Sequence, residues 1–150
     1  MSRGRQRGFT LIELMVVLVI IGIASAAVSL SIRPDPMKLL RQDAGRLAQL
    51  LQLAQTEARI DGRPITWRAD AKGFGFSRRA DQGTGLDHFK DDPQLRPRRW
   101  QSSSMDIEID PGPRVVLSAE WIAEPIRIRL SDGLGSLTVQ RNAAGRIDIQ

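Results

Sequence analysis

The 150-residue sequence has no cysteine and a single histidine. Without cysteine, disulfides, thiolate metal sites and cysteine nucleophiles are all excluded, although an extracytoplasmic domain would have permitted disulfides. The lone His88 lies in a polar stretch and reads as a solvated surface side chain, not a ligand or base. There is no Gly-x-x-x-x-Gly-Lys-Ser/Thr phosphate loop, no His-x-Glu pairing and no set of residues able to form a nucleophilic triad. The sequence therefore offers no catalytic, metal-ligating or cofactor-binding residue, and it points away from an enzyme. Strong positive charge is also scarcer than the pI of 10.9 suggests. The net charge is +5, of which Arg3, Arg5 and Arg7 supply three, so the rest of the chain carries only two. That remainder is a weak basis for a polyanion-binding protein.

What is present begins with a short basic leader, Met1 to Gly8, followed by a charge-free apolar run from Leu14 to Ile32. At about 1.5 Å per residue this run approaches the roughly 30 Å of a bilayer core. One acid, Glu13, sits just inside its start. An acid costs about 2.5–3.5 kcal/mol at mid-bilayer on insertion scales and less near a surface, which makes Glu13 a functional candidate. The segment admits a plain single-pass anchor, with Glu13 reaching the headgroups and favoured by the helix dipole. It also admits an ordinary secretory signal with Ala24-Ser25-Ala26 as a small-x-small cleavage site. An ordinary signal core is about 7–15 residues long, however, and would not readily carry a glutamate.

Beyond the apolar run, Pro34 and Pro36 interrupt the helical pattern. Asp35 is expected to cap a second helix, with Pro36 in its first position. That helix is expected from about Met37 to Asp61. Leu40, Ala44, Leu47, Leu51, Ala54 and Ala58 form one apolar stripe, with Arg41, Asp43, Arg46, Gln49, Gln52 and Gln55 largely off it. Gly62 followed by Pro64 ends it. Everything after Gly62 reads as strand: about seven short segments with one apolar face each, around Ile65–Arg68, Phe74–Phe76, Met105–Asp110, Val115–Leu117, Ile126–Leu130, Leu137–Val139 and Ile147–Ile149. Turns are expected at Asp70–Gly73, Asp132-Gly133 and Asn142–Gly145. The pattern implies an α+β fold, antiparallel sheets wrapped against a helix.

Residues 80–100 stand apart, rich in Asp, Gly, Pro and Arg and nearly aperiodic. A structureless loop of this length is unusual in a compact domain. Arg96, Arg98, Arg99 and Trp100 combine positive charge with an aromatic ring, the composition of a partner-contact or single-strand nucleic-acid platform. The alternative is an exposed charged loop with Trp100 tucked into the sheet.

The string Gly8-Phe9-Thr10-Leu11-Ile12-Glu13, continued by Leu14-Met15-Val16-Val17-Leu18-Val19-Ile20-Ile21-Gly22-Ile23, resembles the class III signal of type IV pilins and type II secretion pseudopilins. The resemblance implies that a prepilin peptidase cleaves between Gly8 and Phe9 on the cytoplasmic side. It also implies that Phe9 is then N-methylated and that the apolar stem is kept. The arginines of the leader would hold the N-terminus inside. A glycine before the cut lets a peptidase close around the backbone. The new cationic amine could pair with Glu13 of a neighbouring subunit, offsetting the cost of two charges in lipid and fixing axial register.

Further on, the run Arg46–Arg59 with Gly62-Arg63-Pro64-Ile65, and the ending Glu124–Leu130 with Gly145-Arg146-Ile147-Asp148-Ile149, resemble the minor pseudopilin H (GspH/FimT) family of type II secretion. The implied organisation is a leader at 1–8, a transmembrane assembly helix at 9–32, an amphipathic helix at 33–62 and a periplasmic β-rich domain at 63–150. The implied fold is type IV pilin-like. The implied role is a structural subunit at or near the tip of a periplasmic pseudopilus anchored in the inner membrane. Implied partners are other minor and major pseudopilins, the peptidase and N-methyltransferase, the inner-membrane secretion platform, and the secretin or exported proteins.

A FimT/FimU-like minor pilin of type IV pili, binding DNA for uptake, is the alternative. The FimT type carries Gly-Arg-x-Arg near its C-terminus. Here Gly145-Arg146-Ile147-Asp148 places an acid at the second basic position, which argues against nucleic acid. A third reading is a membrane-tethered binding module that never polymerises.

Overall fold

The computed structural model describes residues 10–31, 35, 37–120 and 124–150, with 26–31 described as backbone alone. The leader, Gly8, Phe9, Pro34 and Pro36 lie outside the described residues, and with them the question of a bend or break at the prolines. The chain divides into two units, Met1–Asp35 and Pro36–Gln150.

In the first unit, α1 (Leu11–Ser31) runs for 21 residues, about 31 Å at the usual helical rise. Its large apolar side chains from Leu11 to Ile23 are exposed on every face, so it has no stripe and no inward side. Counted over the described side chains alone, which in α1 end at Ser25, no helix is long and apolar enough to cross a membrane.

The second unit opens with α2 (Lys38–Asp61). Among the described residues nine strands follow: β1 (Ile65–Asp70), β2 (Gly73–Arg79), β3 (Leu86–Asp87), β4 (Arg98–Arg99), β5 (Asp106–Asp110), β6 (Val115–Leu117), β7 (Ile126–Ser131), β8 (Ser136–Arg141) and β9 (Ile147–Ile149). All pairings are antiparallel. The first sheet runs β3-β2-β1-β6, with β4 also paired to β2, and the second runs β5-β7-β8-β9. α2 contacts β1 and β6 of the first sheet and β7, β8 and β9 of the second.

The apolar stripe of α2 is the centre of the core. Leu40, Ala44, Leu47, Leu51, Ala54 and Ala58 have no exposed surface at all. They meet Ile65, Trp67, Phe76, Val115 and Leu117 of the first sheet and Ile128, Leu130 and Val139 of the second within one buried cluster. Each large side chain buried this way contributes roughly 1.5–3 kcal/mol. The helix ends as its sequence requires: Gly62 takes a left-handed conformation (φ 67°), and the Gly62 and Arg63 N–H groups both donate to the Ala58 carbonyl. The start differs from expectation. α2 begins at Lys38 behind Met37, whose side chain cannot cap, so Asp35 is not the N-cap.

Two polar residues of α2 expected off the stripe are buried: Asp43 and Gln55, each 1% exposed. Both serve loop backbone. The Asp43 carboxylate accepts the Gln101 N–H (3.1 and 3.0 Å) and the Ser102 N–H (3.0 Å), securing the segment that leads out of β4. Gln55 donates to the Ser118 carbonyl just after β6.

The seven expected strands are β1, β2 and β5 to β9, and the three turns form where expected. In the first hairpin the Asp70 carboxylate accepts the N–H groups of Lys72 (2.7 Å) and Gly73 (2.9 Å), closing the chain reversal. The region 80–100 is more ordered than its composition suggests. It contributes β3 and β4 and sends Phe89, Leu95 and Trp100 into the core. Arg78 holds it to α2: its guanidinium lies 4.9 Å from the Phe89 ring centroid and pairs with Asp61 (2.6 Å) and Asp87 (3.5 Å). Where β4 crosses β2, a Cβ on Gly73 would collide with the Arg98 carbonyl oxygen.

Two outcomes follow for stability. Replacing Asp43 by alanine should cost about 2 kcal/mol, because two backbone donors lose a charged acceptor inside the fold; urea unfolding of the purified protein measures it. Gly73→Ala should cost about 1–3 kcal/mol by forcing β4 away from β2, and amide exchange should show faster opening at Arg99 and Trp100 than at β7.

Candidate functional site

The first turn of α1 is built by Thr10. Its hydroxyl accepts the Glu13 N–H (3.3 Å) and its carbonyl accepts the Leu14 N–H (3.2 Å), so Thr10 caps the helix and places Glu13 at the third helical position. There the helix dipole favours a carboxylate. Glu13 is exposed, with Leu11, Ile12 and Leu14 exposed around it. The geometry presents one acid outward from an apolar rod. Its expected partners in processing, Gly8 and Phe9, lie outside the described residues.

The four loop residues expected to contact a partner do not share one exposed surface. Trp100 is buried, packs on Phe74 (ring centroids 4.6 Å apart) and donates its indole N–H to the Asp70 carbonyl (2.8 Å). Its ring is committed to the core and offers no face for a base. Arg98 turns back to donate to the carbonyls of Pro93 (3.2 Å) and Gln94 (3.1 Å). Arg96 and Arg99 are exposed. Arg98 and Arg99 border an open hollow of about 510 Å³ that also involves Arg68 and Lys72 on the β1–β2 hairpin. His88 is exposed, as its setting in the sequence suggests. Near the C-terminus Arg146 and Asp148 are both exposed, with Asp148 opposite Gln140 in the sheet.

Arg141 escaped the sequence reading. It lies at the end of β8, 4% exposed, and donates to the Gln55 side chain (2.7 Å) and the Glu124 carbonyl (2.9 Å). Burial pulls its pKa below the ordinary guanidinium value; the charge of Arg59 acts the same way, and Glu124 opposes both. Together Gln55 and Arg141 hold the two ends of the β6–β7 connection, Ser118 and Glu124. A signal existed in the sequence: Arg141 falls at an inward position of β8, two residues past Val139.

Comparison with known proteins agrees with this geometry. Residues 3–29 match the family described as the prokaryotic N-terminal methylation motif, and residues 43–145 match the family described as type II transport protein GspH. The type II secretion system protein H of Aeromonas hydrophila is 33% identical over 109 residues, 71% of this chain and 51% of that protein. The chain thus spans about half the length of that relative. Among solved structures, the solution structure of E. coli GspH has a TM-score of 0.59 at 16% identity, over 78% of this chain and 94% of that one. The minor pseudopilin EpsH of the Vibrio cholerae type 2 secretion system has a TM-score of 0.58 at 16% identity, over 73% and 94%. The type IV minor pilin FimU of Pseudomonas aeruginosa has a TM-score of 0.55 at 18% identity, over 74% and 87%. These likenesses show an α+β pilin-like fold. With the GspH match extending from α2 to the last turn, the chain belongs to the type II transport protein GspH family.

Proposed function

We propose that this chain is a minor pseudopilin of type II secretion: a structural subunit at or near the tip of a periplasmic pseudopilus, anchored by α1 in the inner membrane with its β-rich unit outside. The observation that carries the reading is the joining, in one chain, of a methylation-motif stem at 3–29 and a GspH-type domain at 43–145. The stem supports it physically. A helix apolar on all sides needs either lipid or other apolar helices around it, and α1 offers both possibilities along its length. Partners on this reading are other minor and major pseudopilins, the prepilin peptidase and N-methyltransferase, and the inner-membrane platform, with the secretin and exported proteins beyond them. The likeness to FimU is one of fold at 18% identity and does not select a type IV pilus over a secretion system.

Within that role Glu13 is the assembly residue. Peptidase cleavage after Gly8 would leave a methylated amine on Phe9, and a cation there answers the carboxylate of an adjacent subunit in a medium where neither is stable alone. Register between stems would follow from the pair, because apolar contacts alone slide.

Mass spectrometry of the mature N-terminus should find N-methylated Phe9 as the first residue; a product beginning near Ala27 would remove the stem and the proposal with it. Glu13→Leu should be cleaved and inserted normally yet enter the fibre at least tenfold less, read by crosslinking to pilin-like neighbours. Undiminished incorporation would show that Glu13 does not guide assembly.

A further inference from the structure

We propose that the outer face of the five-stranded sheet is a docking surface for an acidic face of a neighbouring pilin-like subunit. The inference rests on the assembly reading above for the identity of the partner. The surface itself stands on the structure.

Arg63, Arg68, Arg78, Arg79 and Arg114 converge on an open hollow of about 540 Å³ whose lining contains no carboxylate. Two of the five are already answered: Arg63 by Asp81, and Arg78 by Asp61 and Asp87. Among the described residues, Arg68, Arg79 and Arg114 have no acid in ion-pair distance, in a chain whose net charge beyond the leader is only two. The β1–β6 pairing sets Thr66 opposite Val116 and Trp67 opposite Val115. Continued by one residue, the same register sets Arg68 opposite Arg114. Like charges on facing strands destabilise a sheet, so folding alone does not account for the arrangement.

The chemistry of the face selects the partner. All five cations are arginine, whose planar fork binds carboxylates in pairs of parallel hydrogen bonds and desolvates more readily than an ammonium. Between them stand the exposed apolar side chains of Val116 and Leu86 and the small hydroxyls of Thr66 and Ser77. Arginine mixed with apolar surface is the composition of a protein interface. A single-stranded nucleic acid would instead need exposed rings on which to stack. The neighbouring aromatic residues Trp67, Phe74, Phe76 and Trp100 are all buried. Arg68 also borders the adjoining hollow, where Lys72, Arg98 and Arg99 outnumber the single acid, Asp70.

The test places a photoreactive phenylalanine analogue at Val116 of the full chain in secreting cells, with a second position at Val19 of α1 as control, and sequences the crosslinked peptides. Expected at Val116 is an adduct to a pilin-like subunit at a segment bearing aspartate or glutamate. It should fall at least tenfold in Arg79→Glu/Arg114→Glu, less in Arg79→Gln/Arg114→Gln, and return when the partner's acid is changed to arginine. Both variants alter exposed side chains and should keep the unfolding midpoint. Adducts at Val19 with none at Val116 would overturn the docking surface while leaving the assembly reading intact. Absence at both positions would overturn the two together. An adduct indifferent to charge reversal would also defeat the proposal. So would salt-sensitive binding of a DNA duplex or of phosphatidylglycerol vesicles by the purified chain that is lost in the double glutamate variant, since the phosphate would then be the ligand.

Discussion

One face of one helix holds the second unit together. The stripe from Leu40 to Ala58 on α2 is fully buried, and it touches strands of both sheets. Neither sheet is large: one has four strands and the other five, two of them only two residues long. Sheets this small cannot bury a face without a partner layer. α2 supplies that layer to both at once, so loss of a leucine here would weaken two sheets together. Truncating a buried leucine to alanine costs about 2–5 kcal/mol, a large share of the marginal stability of a domain this size.

The stripe also decides where polar groups can go. Asp43 and Gln55 flank it on opposite sides, about 60° from its axis at 100° per residue, and each turns the edge of the apolar surface into an anchor for loop backbone. Asp43 fixes the exit from β4, and Gln55 with Arg141 fixes the β6–β7 connection. Buried polar groups are tolerable here because their main acceptors and donors are answered, and the groups they answer are backbone atoms that loops leave unpaired. α1 has no such division. Its apolar side chains surround the axis, so the periodicity that gives α2 an inside is absent, and what it binds must come from outside its own unit.

This contrast explains what the sequence could and could not reveal. Spacings of three and four named every core residue of α2, and alternation named Ile126, Ile128 and Leu130 as inward, because both patterns are local consequences of backbone geometry. The turns at Asp70–Gly73 and Asp132-Gly133 are equally local, as is the Thr10 cap on α1, which the sequence reading did not draw out. Asp43, Gln55 and Arg141 are harder to place because their partners lie 17 to 86 residues away, and polarity alone suggests solvent. Wheel arithmetic would have set Asp43 and Gln55 beside the stripe instead of opposite it. The order of the 80–100 region is not legible in the sequence for a different reason. Phe89, Leu95 and Trp100 are spaced too far apart to make a period, and the two-residue strands between them are too short to alternate, so the order there is tertiary in origin. Trp100 beside three arginines allows either a platform or a ring tucked into the sheet, and the indole takes the second course, packing on Phe74.

The two sheets differ in how completely they answer their arginines. On the second, Arg127 and Arg129 face Asp110 and Glu108 across the strand pair, and Arg127 lies 3.7 Å from Asp110. Each exposed cation has an acid in register, the arrangement expected where charge serves only solubility and strand pairing. On the first, Arg78 meets Asp87 in register, but Arg68 meets Gly75 on one side and, by the continued register, Arg114 on the other, and Arg79 meets Leu86. Strand geometry and helix support are common to both sheets, so neither accounts for the difference. Exposed like charges repel within about a Debye length, roughly 8 Å at physiological salt; dissolved ions weaken this repulsion, and an acidic surface brought against the face would remove it. A sheet that neutralises itself has no electrostatic need of a partner, whereas one that gathers uncompensated guanidinia around an apolar centre is matched to an acidic surface that the chain does not itself provide there.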